Sequence, residues 1–215
     1  MPNWTGNTLH IIGTAEELNL FEADRLAALK AHDCGPEQVI TFHMVLPMPK
    51  ELIGTTSPRR RTAEELRQNA KDYGWSDEVL QDNLTNALTP EDAAQLDELK
   101  AKYGANNWYD WCNNNWGTKW DACHGEFIER AEHGNNERIA IRFDTAWCAP
   151  EQVIHALVRK YPNLNFSHSY FYEGEENTDY TVDYRMNEGV MEAMVSISTD
   201  MTEYEPWEDV SHMVH

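Results

Sequence analysis

The chain has 215 residues, 41% of them hydrophobic and 11% aromatic, which allows a sizeable core and is unlike a disordered segment. Its 37 acidic residues against 17 basic ones give a formal charge of −20. Direct affinity for nucleic acid is therefore not expected, because phosphate binding depends on Lys and Arg; a basic protein surface is the electrostatically favoured partner. Nothing between Met1 and Gly13 reads as a signal peptide or a membrane span, so the four cysteines (Cys34, Cys112, Cys123, Cys148) are expected as reduced cytoplasmic thiols.

Asn7 to Gly13 is rich in β-formers and predicts a buried first strand. Thr14-Ala-Glu-Glu17 is a capping box opening a helix that carries Leu18, Phe21, Leu26 and Leu29 and stops before Gly35-Pro36. Val39 to Leu46 alternates Ile40, Phe42 and Met44 with Thr41 and His43, which predicts a second strand ended by Pro47 and Pro49. From Lys50 to Gly104 the chain turns charged and helical. Thr62-Ala-Glu-Glu65, Ser76-Asp-Glu-Val79 and Thr89-Pro-Glu-Asp92 each start a helix, and Gly104 closes the last. Their apolar stripes are thin, so this region reads as an insertion that depends on something else for burial.

Asn107 to Cys123 holds four of the eight tryptophans: Trp108, Trp111, Trp116 and Trp120. Each indole must find an acceptor for its N–H when buried. With Asn113, Asn114 and Asn115 beside them, they predict an aromatic cluster tied by amide hydrogen bonds, with a structural role shared by Trp147. Arg138 to Trp147 alternates as a strand with Ile139, Ile141, Phe143 and Trp147 on one face. A helix from Pro150 carries Val153, Ile154, Leu157, Val158 and Tyr161. Strands follow at Asn165 to Tyr172 and Asp179 to Met186, and Gly189 to Ile197 offers a further one. Residues 201–215 read as an acidic tail.

The tally is an α+β fold: a ferredoxin-like split βαβ sandwich with an antiparallel sheet and a helical insertion. The expected divisions are 1–49 for the first βαβ half, 50–107 for the insertion, 108–200 for the tryptophan-rich segment and second half with its extra strand, and 201–215 for the tail. Met1-Pro-Asn-Trp4, Asn115-Trp-Gly-Thr-Lys-Trp120, Phe143-Asp-Thr-Ala-Trp-Cys148-Ala-Pro150 and Tyr161-Pro162 resemble the YubB-type family of phage and plasmid proteins. The resemblance implies a ferredoxin-like domain without an established activity, residence in the bacterial host cytoplasm, and partners among host or phage proteins, including a bacterial immunity sensor.

No motif declares chemistry. Cys112, Cys123 and His124 lack the close pairing of a structural zinc site, and the four-cysteine spacing of an iron–sulfur cluster is missing, so no cofactor is expected. Cys148 could act as a nucleophile with His155 or His168, but a core thiol is the simpler reading. Asp144, Asp179 and Asp183 could form a carboxylate site, and His10, His43 and His168 could meet on one sheet face; solvated strand positions explain both sets more simply. Phe166, Tyr170 and Tyr172 mimic an RNA-stacking platform, against which the charge argues. The expectation is a non-enzymatic protein that binds another protein through the acidic hairpin of Tyr172, Glu173, Glu175, Glu176 and Asp179, or through the helices of the insertion. An acidic nucleic-acid mimic that occupies a basic host protein is the alternative, followed by a small hydrolase or nucleotide-acting enzyme.

Overall fold

The computed structural model describes residues 3–57, 60–175, 178–199 and 208–209. The elements run β1 (Trp4–Gly13), α1 (Ala15–Ala31), α2 (Ala63–Tyr73), α3 (Asp77–Leu84), α4 (Pro90–Tyr103), α5 (Trp108–Trp116), β2 (Cys123–His133), β3 (Asn136–Ala146), α6 (Glu151–Lys160), β4 (Asn165–Tyr172), β5 (Thr178–Asn187), β6 (Val190–Thr199) and β7 (Glu208–Asp209). They fall into two compact units, Met1–Pro47 with Asn115–His215, and Met48–Asn114.

The first unit is built on an antiparallel sheet of order β2-β3-β1-β4-β5-β6-β7. Its β4-β1-β3-β2 part, with α1 between β1 and β2 and α6 between β3 and β4, is the ferredoxin-like split βαβ arrangement. The β5–β6 hairpin widens the sheet beyond β4, and β7 adds a two-residue pairing with Met194 and Val195. The rest of the expected 201–215 tail lies outside the described residues.

Strand alternation decides what is buried. Thr5, Asn7, Leu9 and Ile11 of β1 share one face with Ile139, Ile141, Phe143 and Thr145 of β3, all of them buried. Val153, Ile154, Leu157 and Val158 of α6 are buried, and α6 packs on β4 and β5. α1 buries Leu18, Phe21 and Arg25. Leu26, expected inside, is exposed because Arg25 holds the inner position, donating from Nη1 to Val39 O (2.6 Å) and lying over the Phe127 ring. Arg130 of β2 ties that strand to α1 through Glu22 (2.5 Å) and Asn19 (2.7 Å).

The strand expected at Val39 to Leu46 is not formed. Phe42–Met44 is a 3₁₀ turn capped by Thr41. Asp121 competes successfully for the backbone there, accepting from Phe42 N (2.7 Å), Thr41 Oγ1 (2.6 Å) and Gln38 Nε2 (2.9 Å). β2 instead completes the first βαβ unit, so residues 1–49 do not contain that half and the helical region interrupts it between α1 and β2.

In the second unit the helices are made locally. Thr62 and Glu65 form the capping box of α2, Ser76 caps α3, and Thr89 caps α4 with Pro90 in its first turn. Gly74 (φ 65°) and Gly104 (φ 76°) end α2 and α4 in the left-handed conformation that suits glycine. Neither α3 nor α4 buries a residue, and α2 buries only Leu66. Glu51 accepts from Tyr103 Oη (2.7 Å) and Lys102 Nζ (3.2 Å), and the tyrosine bond first, then a bond from its own backbone, then the lysine lower its pKa to about 2.

The tryptophans divide. Trp116 is buried, its Nε1 donating to Leu46 O (2.9 Å) and its ring edge-on to Phe42. Trp111 is buried, whereas Trp108 and Trp120 are half-buried. Trp147 is 52% exposed, not on the core face. β3 stops at Ala146, and Trp147 turns to φ 74°, which breaks the alternation one residue before the indole.

Candidate functional site

On the helix-covered face, antiparallel register sets Tyr170 of β4 opposite Tyr180 of β5 and Phe166 opposite Tyr184. The rings of Tyr170 and Tyr180 stack at 5.3 Å, and Tyr172 meets both edge-on at 5.7 and 5.8 Å. All three are half-buried, beyond the buried Phe166 and Tyr184. Burial raises the Tyr170 phenol to about 12, with Tyr172, Glu151 and Tyr180 adding to it. Tyr172 is raised by burial and then by Cys148, Glu151, Tyr180 and Glu175, so these groups lie in one electrostatic neighbourhood.

The hairpin turn at this end is fixed by Glu173. Its N donates to Trp4 O (3.0 Å), and its carboxylate accepts from Trp4 N (2.8 Å). Glu175 is exposed and accepts a long bond from Tyr180 Oη (3.4 Å). Of the expected binding set, Tyr172, Glu173 and Glu175 thus gather at one end of the sheet. Asp179 lies on the opposite face, since it is one residue from Tyr180, and Glu176 falls outside the described residues. Tyr180 and Glu151 belong to the site and were not in the expected set. The strand register could have found Tyr180; Glu151 comes from the first turn of α6 and had no local signal.

Around the same end, the uncovered face shows more aromatics. The Phe171 ring lies across Gly6, where a β-carbon would sit 2.4 Å from it, and is 44% exposed. Trp4 lies 6.0 Å from Trp120 and 4.8 Å from His124, ring to ring. Lys119 Nζ rests 3.9 Å above the Trp120 ring, a cation–π contact made by the chain itself.

The other candidates do not assemble. Cys112 belongs to the second unit, whereas Cys123 and His124 belong to the first. His124 bonds Asp144 (3.0 Å), and Cys123 Sγ donates to Asp121 O (3.3 Å). Among the described residues no group of three or more His, Cys, Asp or Glu could hold a metal. Cys148 is exposed; His168 Nε2 is committed to Asn7 Oδ1 (3.0 Å), and His155 packs edge-on to Tyr184. Asp144 is separated from Asp179 and Asp183 by β1 and β4. His10 and His168 face opposite sides of the sheet, and His43 stacks on His32 at 4.1 Å. Phe166 is fully buried, which removes it from any stacking platform.

One buried polar group stands out beneath the tyrosines. Asn7 Nδ2 donates to Thr5 O (2.8 Å) and Thr145 Oγ1 (2.9 Å), which turns its Oδ1 toward His168 and makes His168 Nε2 the proton-bearing nitrogen. His168 Nδ1 has no hydrogen-bond partner, and burial lowers the imidazole pKa to about 3.

Strand order and helix placement define an α+β protein with a ferredoxin-like domain. Residues 115–213 match the family model described as the ferredoxin-like domain in Api92-like protein, a segment that takes in β2 through β7 and leaves β1 and α1 outside. A crystal structure of a protein api92 from Yersinia pseudotuberculosis is similar over 97% of this chain and 98% of that one, at 11% identity and a TM-score of 0.36. No curated protein matches the chain. No helix among the described residues is long and apolar enough to cross a membrane.

Proposed function

We propose that the chain acts by binding a protein with a basic surface, not by catalysis, and that the end of the sheet around the β4–β5 hairpin is the contact. The observation that carries this reading is the stacked Tyr170, Tyr172 and Tyr180 group beside the carboxylates of Glu151 and Glu175, with Glu173 held at the turn. Half-exposed phenols offer rigid contact area, and the surrounding acids steer a cationic partner. The resemblance to phage and plasmid proteins adds the setting: an accessory protein in a bacterial host cytoplasm, engaging host machinery or sensed by an anti-phage defence protein.

The test is capture of partners from infected and uninfected bacterial lysate with the wild-type chain and with Glu173→Lys/Glu175→Lys. The expected result is a basic partner whose association slows and loses salt dependence in the charge-reversed variant. A partner that binds both forms equally at low salt contradicts the reading. A captured protein that DNA displaces competitively would make the chain an acidic nucleic-acid mimic instead.

A further inference from the structure

Trp147 sits in a backbone conformation that bulky residues rarely adopt, with φ 74°. Three hydrogen bonds hold the turn around it: Trp147 N to Asn3 O (3.0 Å), Thr118 Oγ1 to Ala146 O (2.8 Å) and Thr145 Oγ1 to Cys148 O (2.8 Å). Glycine would suit this φ without strain. The position holds the largest side chain instead, and 52% of it faces solvent, so the core gains little from the indole. The surrounding structure fixes an exposed tryptophan where the backbone alone would favour its absence.

Its neighbours explain what such a ring can meet. Trp147 bonds Asn3 and Glu173 bonds Trp4, so the indole and the hairpin turn are anchored on consecutive residues at the start of β1. Cys148, next in sequence, is an electrostatic neighbour of Tyr172. Phe171 and Trp4 lie around the same strand ends. The exposed Trp147 and Phe171, the half-buried Trp4 and the exposed carboxylates of Glu173 and Glu175 thus lie around one end of the sheet. A guanidinium fits such a surface better than an ammonium, because its plane stacks on aromatic faces while its N–H fork pairs with a carboxylate. Lys119 on the Trp120 ring is a cation already received by an indole at this end of the sheet.

We infer that Trp147 is the anchor of an arginine-binding surface at this end of the sheet, and that the occupant is an arginine-rich segment of a partner protein. The inference rests on the proposed binding role of the hairpin and adds the residue that dominates it and the side chain it receives.

The test uses a fluorescein-labelled peptide alternating arginine and glycine, its lysine counterpart, and the full chain as wild type, Trp147→Gly and Glu173→Lys/Glu175→Lys. Binding is read by anisotropy and folding by the thermal midpoint. Trp147→Gly is expected to weaken arginine-peptide binding about thirtyfold, the loss of one hot-spot ring, with an unchanged or higher midpoint as the φ strain is relieved. The lysine peptide is expected to bind more weakly than the arginine one. Unchanged affinity in Trp147→Gly overturns the inference; if the charge reversal still abolishes binding, the hairpin reading survives it. A large fall in midpoint for Trp147→Gly would make the indole structural and also overturns it. No arginine-peptide binding at about 1 mM rejects the arginine class, a weak-binding threshold of roughly 4 kcal/mol. Wild-type self-association that Trp147→Gly removes, seen by sedimentation velocity, would make a second copy the occupant and overturns it as well.

Discussion

The sheet unit and the helical unit are held together by different means. In the first, residues far apart in sequence pair across β4-β1-β3-β2, and Leu9, Ile11, Ile139, Ile141, Phe143 and Leu157 are fully buried. In the second, each helix carries its own start and stop signals, while α3 and α4 bury nothing and Leu52, Leu66, Leu88 and Trp111 supply much of the apolar burial. Long-range pairing with a filled core makes a rigid frame on which side chains can be aimed. Capped helices with thin apolar faces keep their shape locally and tolerate change. The lesson is that a binding surface needing fixed aromatic rings belongs on the first unit.

That contrast can be broken most severely in the sheet core. Trp116→Ala removes a buried indole, its hydrogen bond to Leu46 and its contact with Phe42, and is expected to cost about 3–5 kcal/mol in urea unfolding. A loss below about 1 kcal/mol would contradict its core placement. Trp120→Ala, at a half-buried ring, should cost clearly less.

Acid gives the next effect. Folded His168 has a pKa of about 3, below the ordinary 6.5, so the unfolded chain takes up the proton first. Its stabilising share is complete above pH ~6.5 and is lost as pH falls toward 3, at about 1.4 kcal/mol per unit. Burial also lowers His10, His43 and His155, so urea titrations between pH 7 and about 4.5 should show a slope that His168→Gln makes shallower without abolishing it. An identical slope in both proteins would place the titration elsewhere.

Helix caps come third. Thr62→Ala is expected to cost about 1 kcal/mol, with the loss of protection in hydrogen exchange confined to the second unit. A matching loss of protection in β1 and β3 would contradict the separation. The smallest stability effect belongs to the hairpin tip: Glu175→Lys, which gives up only a long bond from Tyr180, should change unfolding by about 0.5 kcal/mol or less, even as it slows binding.

Much of this was legible in the sequence where signals are local. Thr14, Thr62, Ser76 and Thr89 each cap the helix that their spacing announced. The alternating β3, β4 and β5 read correctly for the same reason. The errors come from contacts that sequence spacing cannot show. Ile40, Phe42 and Met44 alternate like a strand, but a carboxylate 79 residues away in sequence takes the Phe42 N–H. The strand that does form, β2, is polar and carries register shifts after Cys123 and Phe127, so no clean period of two survives. In the site, Tyr172, Glu173 and Glu175 were visible as an acidic aromatic turn. Tyr180 and Glu151 join them only through strand register and helix packing, and Trp147 leaves the core through a single positive φ.

Hydrogen exchange of the full chain with and without the arginine–glycine peptide tests the central claim most directly. Binding at the sheet end predicts added protection at Trp4, Trp147, Glu173 and Glu175, with α2, α3 and α4 unchanged. Protection confined to those three helices would move the binding surface to the second unit and contradict the account.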